Sequence, residues 1–130
     1  MRKIIMFSIL GSIIMMSCAA KKSLLGSYSF KGENIIDTLI LKNDIYIHKI
    51  YNKDLKLMYQ GEDQWTMEGD RITLLRFYNN EDNELEEPLS NKDAEKFLMI
   101  TSFPVYKQNS ETIIEVNSDE NILYKKTSTR

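Results

Sequence analysis

The chain of 130 residues holds one cysteine, Cys18, and one histidine, His48. A lone cysteine closes no intramolecular disulfide and builds no thiolate cluster. A lone histidine removes multi-histidine metal sites and most histidine-paired nucleophiles. With 5 glycines and 2 prolines there is no glycine-rich phosphate loop. Basic residues are not in excess either. Lys and Arg total 17 against 19 Asp and Glu, a formal net charge of −2. That balance argues against a general nucleic-acid binder, which neutralises phosphates with a surplus of cations. After the first residues, no apolar run approaches the ~18–20 residues of a spanning helix.

What is present begins at the N-terminus. Arg2 and Lys3 precede an apolar run from Ile4 to Met16, interrupted by Ser8, Gly11 and Ser12, and Cys18 follows Ser17. The run is too short to span a bilayer and fits the h-region of an export signal. The segment Met15-Met16-Ser17-Cys18 resembles the lipobox of bacterial lipoproteins. Ser17 and Cys18 match it, whereas Met15 and Met16 stand where leucine and a small residue are usual. The resemblance implies cleavage before Cys18 and acylation of its thiol. Two or more acyl chains anchor stably where one is marginal. The departures leave ordinary cleavage near Ala19 or Ala20, or a retained anchor, as alternatives. The expected organisation is a signal peptide over 1–17, a lipidated cysteine and tether over 18–24, and one domain over 25–130. The expected location is the cell envelope, at the periplasmic or surface face of the outer membrane.

Period-two alternation dominates the domain. Tyr28 and Phe30 open a first strand, and Leu39 and Leu41 share one face of the next. Asn43-Asp44, residues tolerant of positive φ, predict a tight hairpin into Ile45–Tyr51. That strand sets Tyr46, His48 and Ile50 against Ile45, Ile47 and Tyr51. Asn52-Lys53-Asp54 supplies a turn, and Gly61-Glu62-Asp63 is expected to break the following run. Gly69-Asp70 joins Trp65–Glu68 to Arg71–Phe77, the clearest hairpin in the chain. Residues 79–96 form a polar, acid-rich insert containing Pro88, with a helical turn possible over Asn91–Lys96. Phe97, Met99, Thr101 and Phe103 then share a face, and Pro104 ends that strand or marks an edge. Thr112–Val116 and Ile122–Lys126 form a last pair.

The expected fold is all-β: a small antiparallel meander barrel, or an open half-barrel or sandwich, of about 7–8 strands. Its interior is expected to be filled by Trp65, Leu57, Leu74 and Phe103. Gly26-x-Tyr28, Thr38-Leu39-Ile40-Leu41 and Trp65 through Leu74 resemble small lipocalin-like (calycin-like) lipoproteins of Bacteroidota. The likeness covers Gly26 to Leu75. Where those proteins carry a glycine just before the tryptophan, Gly61 lies four residues earlier.

No catalytic constellation, resident metal site or cofactor is expected. His48 reads as a polar strand residue beside Tyr46. The competing reading is a general base or single ligand helped by Asp44 or Asp54. Glu81, Asp82, Glu84, Glu86 and Glu87 supply oxygens for calcium but lack the spacing that orients them. They are instead the candidate surface for a basic protein partner. Tyr46, Tyr51 and Tyr59 are candidates to line a ligand-binding barrel mouth, though cross-strand packing also explains them. Met58, Met67 and Met99 are scattered and read as packing. The expected function is non-enzymatic binding of a protein partner, of immunity or accessory type, by a lipid-anchored domain. The alternative is a lipocalin-like carrier of a small apolar ligand, which needs a cavity of about 300 Å³ or more.

Overall fold

The computed structural model describes residues 21–80 and 85–127. Eight strands in sequence order close into an antiparallel barrel. They are β1 (Gly26–Lys31), β2 (Ile35–Leu41), β3 (Ile45–Asn52), β4 (Leu57–Glu68), β5 (Arg71–Tyr78), β6 (Leu98–Gln108), β7 (Glu111–Asn117) and β8 (Ile122–Lys126). The seam joins β1 to β8, with Tyr28 opposite Lys126 and Ser29 opposite Lys125. Thr127 extends it by giving both its N–H and its hydroxyl to the Ser27 carbonyl. Closure leaves no free sheet edge along this seam. The all-β meander expected from the alternation is therefore present as a closed barrel, an architecture consistent with a lipocalin-like fold.

Tight turns set the register. Gly69, at φ +61°, and Asp70 connect Glu68 to its partner Arg71. Asn109 and Ser110 both adopt positive φ (53° and 67°) between the paired Gln108 and Glu111. Two left-handed residues match the twist of a two-residue hairpin. Asn43 and Asp44 turn the chain between β2 and β3 as expected, but neither is among the positive-φ residues.

The inner face follows the alternation. Leu39 and Leu41 of β2, Tyr46 and Ile50 of β3, Trp65 of β4, Ile72 and Leu74 of β5, Phe103 of β6 and Ile114 of β7 are all buried. Residues 21–24, within the expected tether, form a turn, Leu24 N–H donating to the Lys21 carbonyl at 3.1 Å, that packs on the barrel. Leu24 enters the core and its carbonyl accepts the Tyr28 hydroxyl at 2.8 Å. Beside it, the Trp65 indole donates to the Lys42 carbonyl at 2.7 Å, and Lys21 Nζ lies 4.8 Å from the indole ring centre.

Three expectations are corrected. Gly61-Glu62-Asp63 does not interrupt β4; these residues pair with His48, Ile47 and Tyr46. Turn-forming residue types are held extended there by a full ladder with β3, and tertiary pairing overrides local preference. Leu57 is not interior but 42% exposed at the start of β4. Phe97 and Met99 are exposed, so only the Phe103 end of the expected β6 face is buried. The reason is the ladder. Leu98–Pro104 pairs with β5, and pairing with β7 begins only at Val105. Pro104, without an N–H, stands where that change occurs.

Candidate functional site

The barrel wall splits beside β4. Only Trp65–Glu68 of β4 pairs with β5, through Arg71–Leu74. Beyond Leu74 the β5 register shifts, and Arg76 takes a positive φ of 48°. The Tyr46 hydroxyl secures this bulge by donating to the carbonyls of Leu75 (2.5 Å) and Arg76 (2.9 Å). Bulges of this kind re-aim side chains next to binding and catalytic sites. Here the bulge turns Arg76 toward the gap.

The later part of the 79–96 insert covers the gap. Leu89 N–H donates to the Met58 carbonyl at 2.7 Å, tying the segment to β4. Ser90 caps a single helical turn, Asn91–Ala94, by accepting from Asp93 N–H at 3.2 Å. A 3-10 turn follows over Glu95–Phe97. Ala94 packs with Ile35, Ile50 and Tyr59, and Leu85, Leu89 and Tyr78 lie against the same cluster. The helical turn expected over Asn91–Lys96 is thus present.

Between β4 and this cover runs an open cleft of about 790 Å³. Its polar wall is Gln60, Glu62, Asp63, Arg76, Asn91 and Glu95; Leu57, Leu98 and Pro88 supply apolar surface. Tyr59 reaches the cleft although the residue is only 5% exposed. Its hydroxyl lies against Gly61, where a Cβ would overlap it. No described residue hydrogen-bonds that hydroxyl. Burial raises the Tyr59 pKa, as does Tyr78, while Arg76 opposes the rise. Burial also raises the Tyr46 pKa, with Tyr59 and Asp63 adding to it. Both phenols therefore keep their protons. Arg76 stands 4.0 Å from Glu95, and both side chains are mostly solvent-exposed, so this pair adds little stability.

A second polar group is sealed inside the barrel. Asp37 and His48 sit on the inner faces of β2 and β3 as diagonal neighbours, because His48 pairs with Leu39. Asp37 Oδ1 lies 2.7 Å from His48 Nε2 and accepts the Tyr124 hydroxyl at 2.7 Å. The carboxylate assigns the donated ring proton to Nε2. His48 is 1% exposed, and its Nδ1 has no partner. Its ring stacks on Phe77 at 4.5 Å and meets the Tyr59 ring edge-on at 5.5 Å. Tyr124 has its pKa raised well above the ordinary value, first by burial and then by Asp37. A general base must come within hydrogen-bond reach of its substrate, and this trio is walled off by Tyr59 and Phe77.

The sequence-predicted residues are thus distributed unequally. Tyr46 and Tyr59 flank the cleft region, whereas Tyr51 lies on the opposite face of β3 from Tyr46. His48 is partnered by Asp37 and Tyr124, not by Asp44 or Asp54. Glu86 and Glu87 are exposed just before the cleft's Pro88. Glu81, Asp82, Glu84 and Cys18 lie outside the described residues. Arg76, Asp63, Asn91 and Glu95 were not singled out from sequence. The one available signal was Arg76 breaking the apolar stretch Leu74-Leu75-Arg76-Phe77. Among the described residues, no cluster of three or more His, Cys, Asp or Glu is arranged to hold a metal ion. No described helix is long and apolar enough to cross a membrane.

Comparison with known proteins gives no match: no family model, no curated protein and no solved structure resembles the chain significantly.

Proposed function

We propose that this protein is a small-molecule-binding barrel, held at the bacterial envelope by a lipid on Cys18, whose ligand occupies the cleft between β4 and the Pro88–Leu98 cover. The observation that carries the reading is the cleft itself. Its volume, about 790 Å³, is that of a small-molecule site, with convergent polar groups over an aromatic floor. The axial interior is occupied by side chains such as Trp65, Phe77 and Phe103, so the ligand binds laterally, not along the barrel axis. The polar wall favours an amphipathic or charged ligand over a purely apolar one, because a hydrocarbon would desolvate Gln60, Asp63 and Asn91 without replacing their hydrogen bonds. Binding without catalysis is supported by the burial of Asp37, His48 and Tyr124 away from the cleft. The envelope location is supported by the basic start, the apolar run and the Ser17-Cys18 ending.

The test is a set of 15N–1H spectra of the domain titrated with octanoate, glucose, inorganic phosphate and spermidine. At least one probe is expected to shift the amides of Tyr59–Asp63, Arg76 and Leu89–Glu95 together. Shifts scattered over the barrel, or none, contradict the reading.

A protein partner is the second reading. It is favoured by the exposed Phe97, Met99 and Ile100 beside the cover, since neighbouring exposed apolar side chains of this kind mark interaction surfaces. Charge-reversal of Glu86 and Glu87 that leaves capture of a cross-linked envelope partner unchanged would count against it.

A further inference from the structure

We propose that the cleft selects small organic cations, molecules carrying a primary ammonium or guanidinium group on a short chain. This deepens the preceding reading and rests on the cleft being the binding site.

The charge arrangement is the first argument. Three carboxylates, Glu62, Asp63 and Glu95, line the cleft against one cation, Arg76. Arg76 is itself 4.0 Å from Glu95, so part of its field is already neutralised. An anion seeking Arg76 would enter beside Glu95 and Asp63 and be repelled by both. A cation meets the opposite balance, and low-dielectric walls focus that field. Glu86 and Glu87, exposed at the entrance to the Pro88 segment, extend it outward.

Tyr59 is the second and independent argument. The side chain is nine-tenths buried, lines the cleft, and presents a hydroxyl with no hydrogen-bond partner among the described residues. Gly61 provides the space, since any Cβ there would overlap the hydroxyl. The phenol keeps its proton, so it offers a neutral acceptor oxygen rather than a charge. Its ring is held by the His48 ring at 5.5 Å and the Tyr78 ring at 5.0 Å, which fixes the hydroxyl in position. Asp63 Oδ1 accepts the Gln64 N–H at 2.7 Å, which leaves Oδ2 able to accept from a ligand. An ammonium has three donors and no acceptor. Asp63 and the Tyr59 oxygen, on the same inward side of β4, together answer that demand, while Glu62 on the other side of the strand adds only its field.

Calorimetric titration of the folded chain with spermidine, arginine amide, octanoate and inorganic phosphate tests this, with amide shifts locating each site. Spermidine or arginine amide is expected to bind at Tyr59–Asp63, and more weakly as NaCl rises. Asp63→Asn is expected to weaken that binding at least about tenfold, the worth of one charge-assisted hydrogen bond. Tyr59→Phe is expected to weaken it several-fold while the thermal unfolding curve stays cooperative. Equal affinity for Asp63→Asn and the native chain overturns the proposal. So does octanoate or phosphate binding in the cleft while both cations do not; the cleft would then stand as a site with another ligand class. If no probe shifts the cleft amides, the preceding reading falls and this one with it.

Discussion

Replacing Asp37 with leucine removes the one acceptor shared by two buried donors. Both bonds to Oδ1 are 2.7 Å long, and neither His48 nor Tyr124 reaches solvent. The two remaining groups are 3.4 Å apart, too distant to replace a good hydrogen bond. Each orphaned buried donor costs about 1–3 kcal/mol. Breaking a buried pair by removing one member typically costs about 3–5 kcal/mol. Asp37→Leu should therefore lose about 4 kcal/mol, a large part of the ~5–15 kcal/mol of a whole domain. Tyr124→Phe leaves the histidine–carboxylate pair intact and should lose only about 1–2 kcal/mol. The combined replacement Asp37→Leu, His48→Leu and Tyr124→Phe removes every member and leaves no orphan. It should fall within about 1 kcal/mol of the native chain, or exceed it, because apolar substitutes of similar volume avoid the desolvation of the buried polar groups. Urea unfolding followed by Trp65 fluorescence and far-UV circular dichroism measures all four. An Asp37→Leu loss under about 1 kcal/mol, or a triple variant as weak as the single one, refutes the reasoning.

Three further outcomes are expected. Gly61→Ala should destabilise by about 1–3 kcal/mol, because its Cβ meets the buried Tyr59 hydroxyl; the loss should largely disappear in a Tyr59→Phe background, and a loss independent of residue 59 would contradict the packing. The alkaline limb of stability should be steep. Tyr28 is pushed up to about 12 by burial, and Tyr46, Tyr59 and Tyr124 are also raised. The folded state then holds protons that the unfolded state has released, so stability is intact below the ordinary tyrosine value near 10 and declines as pH rises toward 12 and beyond; ultraviolet tyrosinate titration that completes without unfolding would contradict this. Mass spectrometry of the N-terminal peptide from membrane fractions should show Cys18 diacylated or triacylated, and an unmodified thiol in soluble protein would remove the anchor from the proposal.

The barrel was readable because its strands alternate cleanly. Leu39/Leu41, Tyr46/His48/Ile50 and Ile72/Leu74 each put one face inward, and Gly69-Asp70 announced its turn. The Asn109-Ser110 turn escaped notice although asparagine at the first turn position carried the signal. Gly61-Glu62-Asp63 misled because its residue types favour turns, while the ladder to β3 and the room needed by Tyr59 are non-local facts. The same limit hid the Asp37–His48–Tyr124 cluster. Asp37 and Tyr124 lie 87 positions apart, and only closure of β8 onto β1 brings them together. The cleft was hidden for a related reason. It depends on a wall split at the Arg76 bulge and on Leu89 returning to Met58, and neither follows from local alternation.

The most direct test of the account is a crystal structure of the domain soaked in spermidine. It should show the polyamine in the lateral cleft, with an ammonium beside Asp63 and the Tyr59 hydroxyl, and the barrel axis filled by protein side chains. Density running along the barrel axis, or a native cleft occupied by a rearranged insert, would contradict it.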